Sequence, residues 1–479
     1  MKNFTAVKNF LRLLLPLAGA GLLSTGCQTY QQQNKVIGYW HQGDLTNAFV
    51  EASRKVQDNT DNKDAIVWQL EQATVLRAGG RYADSNLAFD RAQAKIDDYA
   101  QKAKVRVGQE AGALLSNQAN LAYEGRAYDG IMLNTYKALN YLALGQPDNA
   151  RPEIIHAYQR QQDAVEENKK RIEKVQDEAA QAKDKAAIDK AERDPALNSQ
   201  VQNSMAGVND LKVYANYVNP FTVYLDGLFF MANAADDSDK ERARKSLERV
   251  ASFAENNDYV KQDLAAAEAL QNGTQLPPTT YVIFETGCAP ERGQIRIDIP
   301  IIISRVSYVG AAFPTLKPQG NFQPSLTVTA GGASHTTETV ASMDSVITLD
   351  FKNELPVVIT KTIAATVTKA IAAYAINEAA RNTSNNRDAL GNNVASIITQ
   401  IGTAAYQMAV NIADTRTWTT LPKEFQVARF PTPADRKIDL TTPNGMKTSV
   451  TLVDGTVNVV YVKAITAATP LLVSQFKLK

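Results

Sequence analysis

Residue types that carry catalysis are scarce in this chain. Its 479 residues include three histidines and two cysteines. His41, His156 and His335 lie far apart, and none has a second His or Cys at the spacing of a zinc site. Neither a phosphate loop of the GxxxxGKS or GxxxxGKT kind nor a GxSxG elbow occurs. We therefore predict no catalytic residue, no metal site and no cofactor.

Cys288 lies in the polar sequence FETGCAPERGQ, residues 284–294, between two predicted strands. An acidic neighbour such as Glu285 raises the pKa of a thiol, whereas Arg292 lowers it. We therefore interpret Cys288 as a structural cysteine and not as a nucleophile. The loop itself is a candidate binding site, with Glu285 and Arg292 as its candidate contact residues.

A second candidate binding site is the sequence ADTRTWTTLPKEFQVARFP, residues 413–431. Arg416 and Trp418 stand two residues apart, so their side chains share a face if the segment is extended. A guanidinium beside an indole would form an anchor for a protein or a glycan. The alternative is that Trp418 faces inward as a core residue.

The other cysteine, Cys27, follows a basic N-terminus and an apolar run over residues 13–23, the layout of a secretory signal peptide. The run is too short to cross a bilayer, which needs about 20 apolar residues. Its end resembles the lipobox of bacterial lipoproteins, although Ser24 stands where that motif usually has Leu. The resemblance implies a signal peptide over residues 1–26, lipid attachment at Cys27 and a tether over residues 27–34. Ordinary secretion with an incidental thiol is the alternative.

The residue after Cys27 favours the outer membrane. Lipoproteins that stay in the inner membrane usually carry Asp there, and this chain has Gln28. We therefore expect a lipid-anchored protein that faces the periplasm. If Cys27 is acylated, Cys288 has no cysteine to pair with, so we expect no disulfide.

Charge excludes one class of partner. The formal net charge is +1, and the predicted signal peptide carries three basic and no acidic residues, so the mature chain has a net charge of −2. A near-neutral protein lacks the basic face that nucleic acid requires. We predict no nucleic-acid partner, and we expect membrane contact only through the lipid.

The helices and strands that must position these residues are predicted from composition, and the composition of the chain changes near residues 272–278. Before that point Ala, Gln, Glu, Lys and Leu recur at helical spacing, and after it Val, Ile and Thr alternate with polar residues. We predict an α+β multidomain fold with an all-α domain over residues 35–271 and a β domain from residue 279.

Two glycines mark an internal repeat in the helical half. Gly80 and Gly145 are each followed by small or apolar residues at the fifth, ninth and twelfth positions. The pattern resembles a tetratricopeptide repeat (TPR), a helix-turn-helix unit. Fainter copies begin at Gly43 and Ser238, with irregular spacing between copies. We predict a TPR-like domain interrupted by extra helices, and an ordinary helical bundle is the alternative.

One interruption, residues 158–194, is predicted to form a charged helical arm. Apolar residues such as Tyr158 and Val165 recur every seven positions, and ion pairs at i,i+4 spacing such as Glu166–Lys170 lie between them. We expect one arm of a long exposed hairpin, which is either a solvated face or a surface that meets a partner.

The β domain is predicted in two parts, residues 279–354 and 414–479, around a helical-hairpin insertion at residues 355–413. The sequences TYVIFET and QIRIDIPIII have the composition of strands. Hairpins are predicted to turn at Gly331-Gly332 and at Asp454-Gly455. We expect an antiparallel, β-sandwich-like domain.

Residues 394–412 carry no charge, which raises the question of a membrane span. Polar residues such as Ser396, Gln400 and Gln407 lower the hydrophobicity below that of a spanning helix. We therefore expect a buried helix of the insertion, and a transmembrane helix is the alternative.

Three stretches together are similar to a family of uncharacterised bacterial lipoproteins of similar length. They are YVIFETGCAPERG, ADTRTWTTLPKEFQVARF and YEGRAYDGIMLNTYKALNYLALGQPDNAR, residues 281–293, 413–430 and 123–151. The resemblance implies a cell-envelope lipoprotein with a TPR-like region and no established activity. Genes of that family often neighbour those for lipoproteins that activate penicillin-binding proteins, which implies a role in envelope or peptidoglycan assembly.

Our leading hypothesis is a non-enzymatic scaffold that recruits other envelope proteins through the helical groove and the β domain. One alternative is a periplasmic hydrolase or glycan-modifying enzyme, which would need carboxylates that converge in one cleft of the β half. Another is a secretion or pore component in which residues 394–412 form part of a wall. We predict no small-molecule substrate.

Overall fold

The computed structural model describes residues 34–105, 119, 121–181, 185–204, 214, 218–303, 306–384 and 412–479. Up to residue 271 the described elements are helices, as predicted. They are α1 (Lys35–His41), α2 (Leu45–Asp58), α3 (Ala65–Ala78), α4 (Tyr82–Val105), α5 (Ala127–Ala143), α6 (Pro147–Ala180), α7 (Lys185–Glu192), α8 (Pro195–Ser204), α9 (Pro220–Ala232), α10 (Asp237–Phe253) and α11 (Asp258–Gln271).

Short glycine turns join helices that pack side by side. Gly80 lies between α3 and α4 with a φ of 75°, and Gly145 lies between α5 and α6 with a φ of 70°. This left-handed conformation favours glycine, which has no Cβ to clash. Phe89 and Ile154, nine residues after each glycine, are buried in the core. Both glycines of the sequence pattern therefore lie at helix–helix turns.

The second half contains the strands and one long helix. The strands are β1 (Thr279–Thr286), β2 (Glu291–Ile303), β3 (Val306–Lys317), β4 (Thr327–Ala330), β5 (Ala333–Thr336), β6 (Glu338–Ser342), β7 (Glu424–Pro431), β8 (Lys437–Thr441), β9 (Lys447–Thr451), β10 (Val457–Ala464) and β11 (Leu472–Lys477); helix α12 (Met343–Ser384) follows β6.

Nine of the described strands form a β-sandwich with a helical layer on one side, and β2 and β3 form a separate two-stranded sheet. A five-stranded sheet has the order β11-β10-β1-β7-β6, and a four-stranded sheet has the order β5-β4-β8-β9. Side chains such as Phe284 and Val462 pack between the two sheets, whereas Tyr281, Ile283 and Val459 pack against the helices. The main core is thus continuous across the boundary that we predicted near residues 272–278.

Among the described strands, every pair is antiparallel except β1 with β10, which are parallel. Both strands are buried along their whole length because they lie in the middle layer. Parallel pairing of this kind is typical of strands that are covered on both faces. The β domain is antiparallel, as predicted, apart from this one parallel pair.

The predicted hairpin at Gly331-Gly332 is confirmed, because β4 pairs with β5. The predicted hairpin at Asp454-Gly455 is wrong. Strand β9 pairs with β8, whereas β10 pairs with β1 and β11. A turn sequence such as Asp-Gly predicts a change of direction, but burial of β10 on both faces decides which strands it pairs with.

The helical insertion begins earlier than predicted, at Met343 instead of residue 355. We predicted residues 279–354 as the first part of the β domain. However, Met343, Ile347 and Phe351 are buried in the main core at i,i+4 spacing, which is the pattern of a helix. The second predicted helix of the insertion lies almost entirely outside the described residues.

The predicted arm, residues 158–194, is only partly an exposed helix. Much of α6 is exposed, including Val165. Ile188 of α7, by contrast, packs in a second core with Ile297 of β2 and Ile363 of α12. We call this unit of α7, α8, β2, β3 and the adjoining part of α12 the distal lobe. The arm therefore ends in a packed lobe and does not end free in solvent.

Candidate functional site

Residues 412–423, here called the inserted segment, connect the helical insertion to β7 and pass between the helices. Trp418 is 0% exposed. Its ring lies edge-on to Tyr136 with centroids 5.8 Å apart, and its Nε1 donates a hydrogen bond to Thr74 Oγ1 at 2.8 Å. Trp418 is therefore a core residue that joins the inserted segment to α3 and α5, and it is not an exposed anchor.

A buried carboxylate holds the backbone of the inserted segment. Glu71 of α3 accepts hydrogen bonds from the backbone N–H groups of Thr419, at 2.8 Å, and Thr420, at 3.1 Å. The Asn34 amide also donates to Thr419 Oγ1 at 3.1 Å. These contacts satisfy backbone groups that carry no regular secondary structure. The face of the helical layer that we expected to receive partner proteins is, at this place, filled by the chain itself.

Arg416 is also buried, and it does not pair with Trp418. Its guanidinium makes a bidentate contact with Asp414 at 2.8 and 2.9 Å and donates to the Leu121 carbonyl at 2.8 Å. The ring that it covers is that of Tyr123, with 5.5 Å to the centroid. Arg416 thus fastens the start of the inserted segment to the helices.

Arg292, predicted as a binding residue, is only 1% exposed. Its Nη2 lies 2.8 Å from Glu354 Oε2, and Arg126 Nη1 lies 2.5 Å from the same oxygen. Burial alone would raise the pKa of Glu354, but the two guanidinium groups outweigh it and hold that pKa well below its usual value. This cluster joins α5, β2 and α12 and is part of the structural core.

Glu285, also predicted as a binding residue, borders an open cavity. It accepts hydrogen bonds from the Tyr136 hydroxyl at 2.9 Å, from the Tyr461 hydroxyl and from the Lys463 ammonium. Burial raises the pKa of Glu285, but the positive charges of Lys463 and Arg77 outweigh it, so its pKa lies below the usual value. The carboxylate is therefore held in its ionised form.

The cavity has a volume of about 460 Å³ and lies between the helical layer and the five-stranded sheet. This volume is in the range of known ligand pockets, roughly 300–1,000 Å³. Its floor is the helix-facing side of β1 and β10. Its walls are the end of α3, the Gly79-Gly80 turn and residues 471–474 of β11 and the turn before it. The full lining is Leu45, Thr74, Arg77, Ala78, Gly79, Gly80, Tyr82, Glu285, Tyr461, Lys463, Leu471, Leu472, Val473 and Ser474.

Arg77 is a further charged residue of this cavity, beside the ion pair of Glu285 and Lys463. It is 8% exposed, and its guanidinium lies 4.8 Å from the ring centre of Tyr461 and 5.1 Å from that of Tyr136. Burial lowers the pKa of Arg77, but the neighbouring Tyr461 and Glu285 outweigh it and raise the pKa. The side chain is therefore charged, and its direct hydrogen-bond partner is the neutral amide of Asn140, at 2.6 Å.

The chemistry of the cavity favours binding over proton transfer. Among its lining residues Glu285 is the sole carboxylate, and three donors already engage it. Nearby Cys288 is buried, which raises the pKa of its thiol to about 12. No group of His, Cys, Asp and Glu side chains in the described parts of the chain is arranged to hold a metal ion. The carboxylate pair that a glycan hydrolase requires is not found at this cavity.

No protein-family model, no curated protein and no solved structure matches this chain. The lipoprotein resemblance therefore stays a prediction. Cys27 and residues 1–33 lie outside the described part of the structure, as do residues 394–411. Within the described part, no helix is both long enough and apolar enough to span a bilayer.

The predictions missed Arg77 and β11. Arg77 is one charged residue at the end of an ordinary helix, and β11 begins after a proline with a short apolar run. The only local signal was the glycine pair at residues 79 and 80, which marked a turn and not a cavity wall. Their proximity depends on the pairing of β10 with β11, which local patterns do not predict.

Proposed function

We propose that this protein is a lipid-anchored scaffold of the cell envelope that binds other envelope proteins. Cys27 would carry the lipid and hold the chain at the outer membrane, facing the periplasm. The TPR-like helical layer and the β-sandwich would together present the binding surface. The observation that carries the proposal is the half-open cavity at Arg77. It combines aromatic rings, a cation that has no salt bridge within the described residues, and a strand edge, and its lining has no pair of carboxylates for chemistry.

Two further observations support a scaffold. Helical hairpins with glycine turns, as at Gly80 and Gly145, are the units from which TPR proteins build binding surfaces. The inserted segment also demonstrates that this helical layer accommodates chain without regular secondary structure, since Glu71 accepts two of its backbone N–H groups. A partner would use the remaining open surface at the cavity.

The anchor and the binding role are tested together in cells. We expect Cys27→Ala to move the protein from the membrane fraction to the soluble periplasmic fraction, because the lipid is its only proposed attachment. Photo-crosslinking of the full chain in intact cells, with the crosslinker placed in turn at Leu472, Val50 and Leu87, should capture specific envelope proteins. Val50 and Leu87 are exposed positions on α2 and α4. Clean isolation of uncrosslinked protein from all three positions would refute the binding role.

A further inference from the structure

The two edges of the five-stranded sheet are protected differently. At β6, the Asn257 side chain donates to the carbonyls of Glu338, at 3.2 Å, and Thr339, at 3.1 Å, so the start of α11 covers that edge. At β11, the Gln475 side chain donates to the carbonyl of Thr451, at the end of β9, and accepts from the backbone N–H of Val453 in the loop that follows. Within the described residues, no backbone group bonds to residues 471–474 from outside the sheet. This part of β11 is therefore an open edge.

The open edge lies directly on the cavity. Residues 471–474 are consecutive, and all four line it. A cavity over one face of a strand would be lined by alternate residues, because successive side chains point to opposite faces. The Val473 side chain in fact packs against the core on the far side of the sheet. The cavity therefore borders the backbone of β11 from the side, where a further strand would add.

One cation of the cavity, Arg77, lacks a carboxylate partner among the described residues. Arg77 is charged and more than nine-tenths buried, but no carboxylate of the described residues lies within salt-bridge distance of it. The nearby Glu285 is already engaged by Lys463, Tyr136 and Tyr461. A buried cation without an anionic partner is costly, and arginine is well suited to hold a carboxylate through two hydrogen bonds.

We propose that an extended segment of a partner protein adds to the open edge of β11 and places a carboxylate against Arg77. The main-chain hydrogen bonds of the added strand give affinity, and the carboxylate in the cavity gives specificity. The aromatic rings of Tyr82 and Tyr461 border the space that this segment enters. This inference rests on the proposed function as a protein-binding scaffold, and it names the binding mode and the chemistry of the partner.

Three synthetic hexapeptides of alternating Thr and Val test the proposal with the full-length, detergent-solubilised protein. The first has a free C-terminal carboxylate, the second has a C-terminal amide, and the third has the amide and one internal Asp. We expect the amide peptide to bind at least about tenfold more weakly than the better of the two carboxylate peptides. Fluorescence anisotropy measures the affinity, and the better peptide identifies the source of the carboxylate.

Hydrogen–deuterium exchange locates the bound peptide. We expect slower exchange in residues 471–475 when the better peptide is present. Arg77→Gln should weaken its binding about tenfold, and Arg77→Lys should restore part of the affinity. Arg81→Gln is the matched control, because Arg81 pairs with exposed Asp84 outside the cavity and its replacement should change little. Since the peptide series needs no mutation, the test remains valid if an Arg77 variant fails to fold.

The proposal is overturned if the three peptides bind equally, if none binds, or if protection appears away from β11. These results are separable from failure of the proposed function. If envelope proteins are captured at Val50 or Leu87 but not at Leu472, and no peptide binds, the scaffold role is supported and this binding mode is refuted. Carboxylate-dependent peptide binding at β11 without any captured protein in cells would support the binding mode and refute the proposed scaffold role.

Discussion

Replacement of Trp418 tests whether the inserted segment holds the two halves of the fold together. The side chain is fully buried, and its Nε1 donates to Thr74 Oγ1 at 2.8 Å. Truncation of a buried Trp to Ala costs about 3–5 kcal/mol, and loss of the hydrogen bond adds about 1 kcal/mol. We therefore expect Trp418→Ala to lower the free energy of unfolding by about 4–6 kcal/mol, and Trp418→Phe by about 1–3 kcal/mol.

Urea unfolding followed by far-ultraviolet circular dichroism measures these changes. A double-mutant cycle with Thr74→Val isolates the bond between the indole and the hydroxyl, and we expect a coupling energy of about 1 kcal/mol. Hydrogen–deuterium exchange should in parallel become faster at Thr419 and Thr420, whose N–H groups bond to Glu71. A loss below about 1 kcal/mol for Trp418→Ala would refute the burial of this residue, and a coupling near zero would refute its bond to Thr74.

Two further predictions concern buried titratable groups. Burial raises the pKa of Asp263 to about 6 despite the nearby Arg429, so the folded protein binds a proton there that the unfolded chain, with a pKa near 3.9, has released. This group's contribution to stability should fall as the pH rises from about 4 to about 6, and Asp263→Asn should reduce that decline in urea unfolding at pH 4, 5, 6 and 7; an unchanged decline would contradict the assignment. For Cys288, whose thiol pKa is raised to about 12, alkylation by iodoacetamide at pH 8 in a Cys27→Ser variant should be on the order of a thousandfold slower than in urea. Equal rates in the two conditions would contradict its burial.

The sequence was informative where the signal was local. The glycines at positions 80 and 145 marked turns because only a left-handed conformation fits there, and the glycine pair at 331 and 332 marked a real hairpin. The composition of TYVIFET and the alternation of apolar residues in QIRIDIPIII are also local signals, and they located β1 and β2.

Predictions failed where partners are distant in the chain. Trp418 and Thr74 are 344 residues apart, and Glu285 and Lys463 are 178 apart. From local periodicity, burial of a residue such as Trp418 was only one of two possible interpretations. Periodicity also does not predict which residues such a side chain contacts. The charged character of Arg292 and Arg416 suggested exposed contacts, but Arg292 is buried beside Glu354 of α12, and Arg416 is buried beside Asp64, which precedes α3. The candidate site was the hardest feature to predict, because its lining residues come from α3, β1, β10 and β11, which are distant in the chain.

The inserted segment has a consequence for how the chain reaches its folded state. Synthesis presents the N-terminal residues first, so α3 and α5 emerge long before residues 412–423. Until those residues arrive, the surfaces of Thr74 and Tyr136 that receive Trp418 are open, and Glu71 lacks the amides that it will bind. Contacts across such sequence distances form slowly, and open apolar surface in the meantime invites aggregation. The helical half, cut off near residue 271, is therefore an unfinished core and not an independent domain, and the nascent chain needs protection until its last third has been delivered.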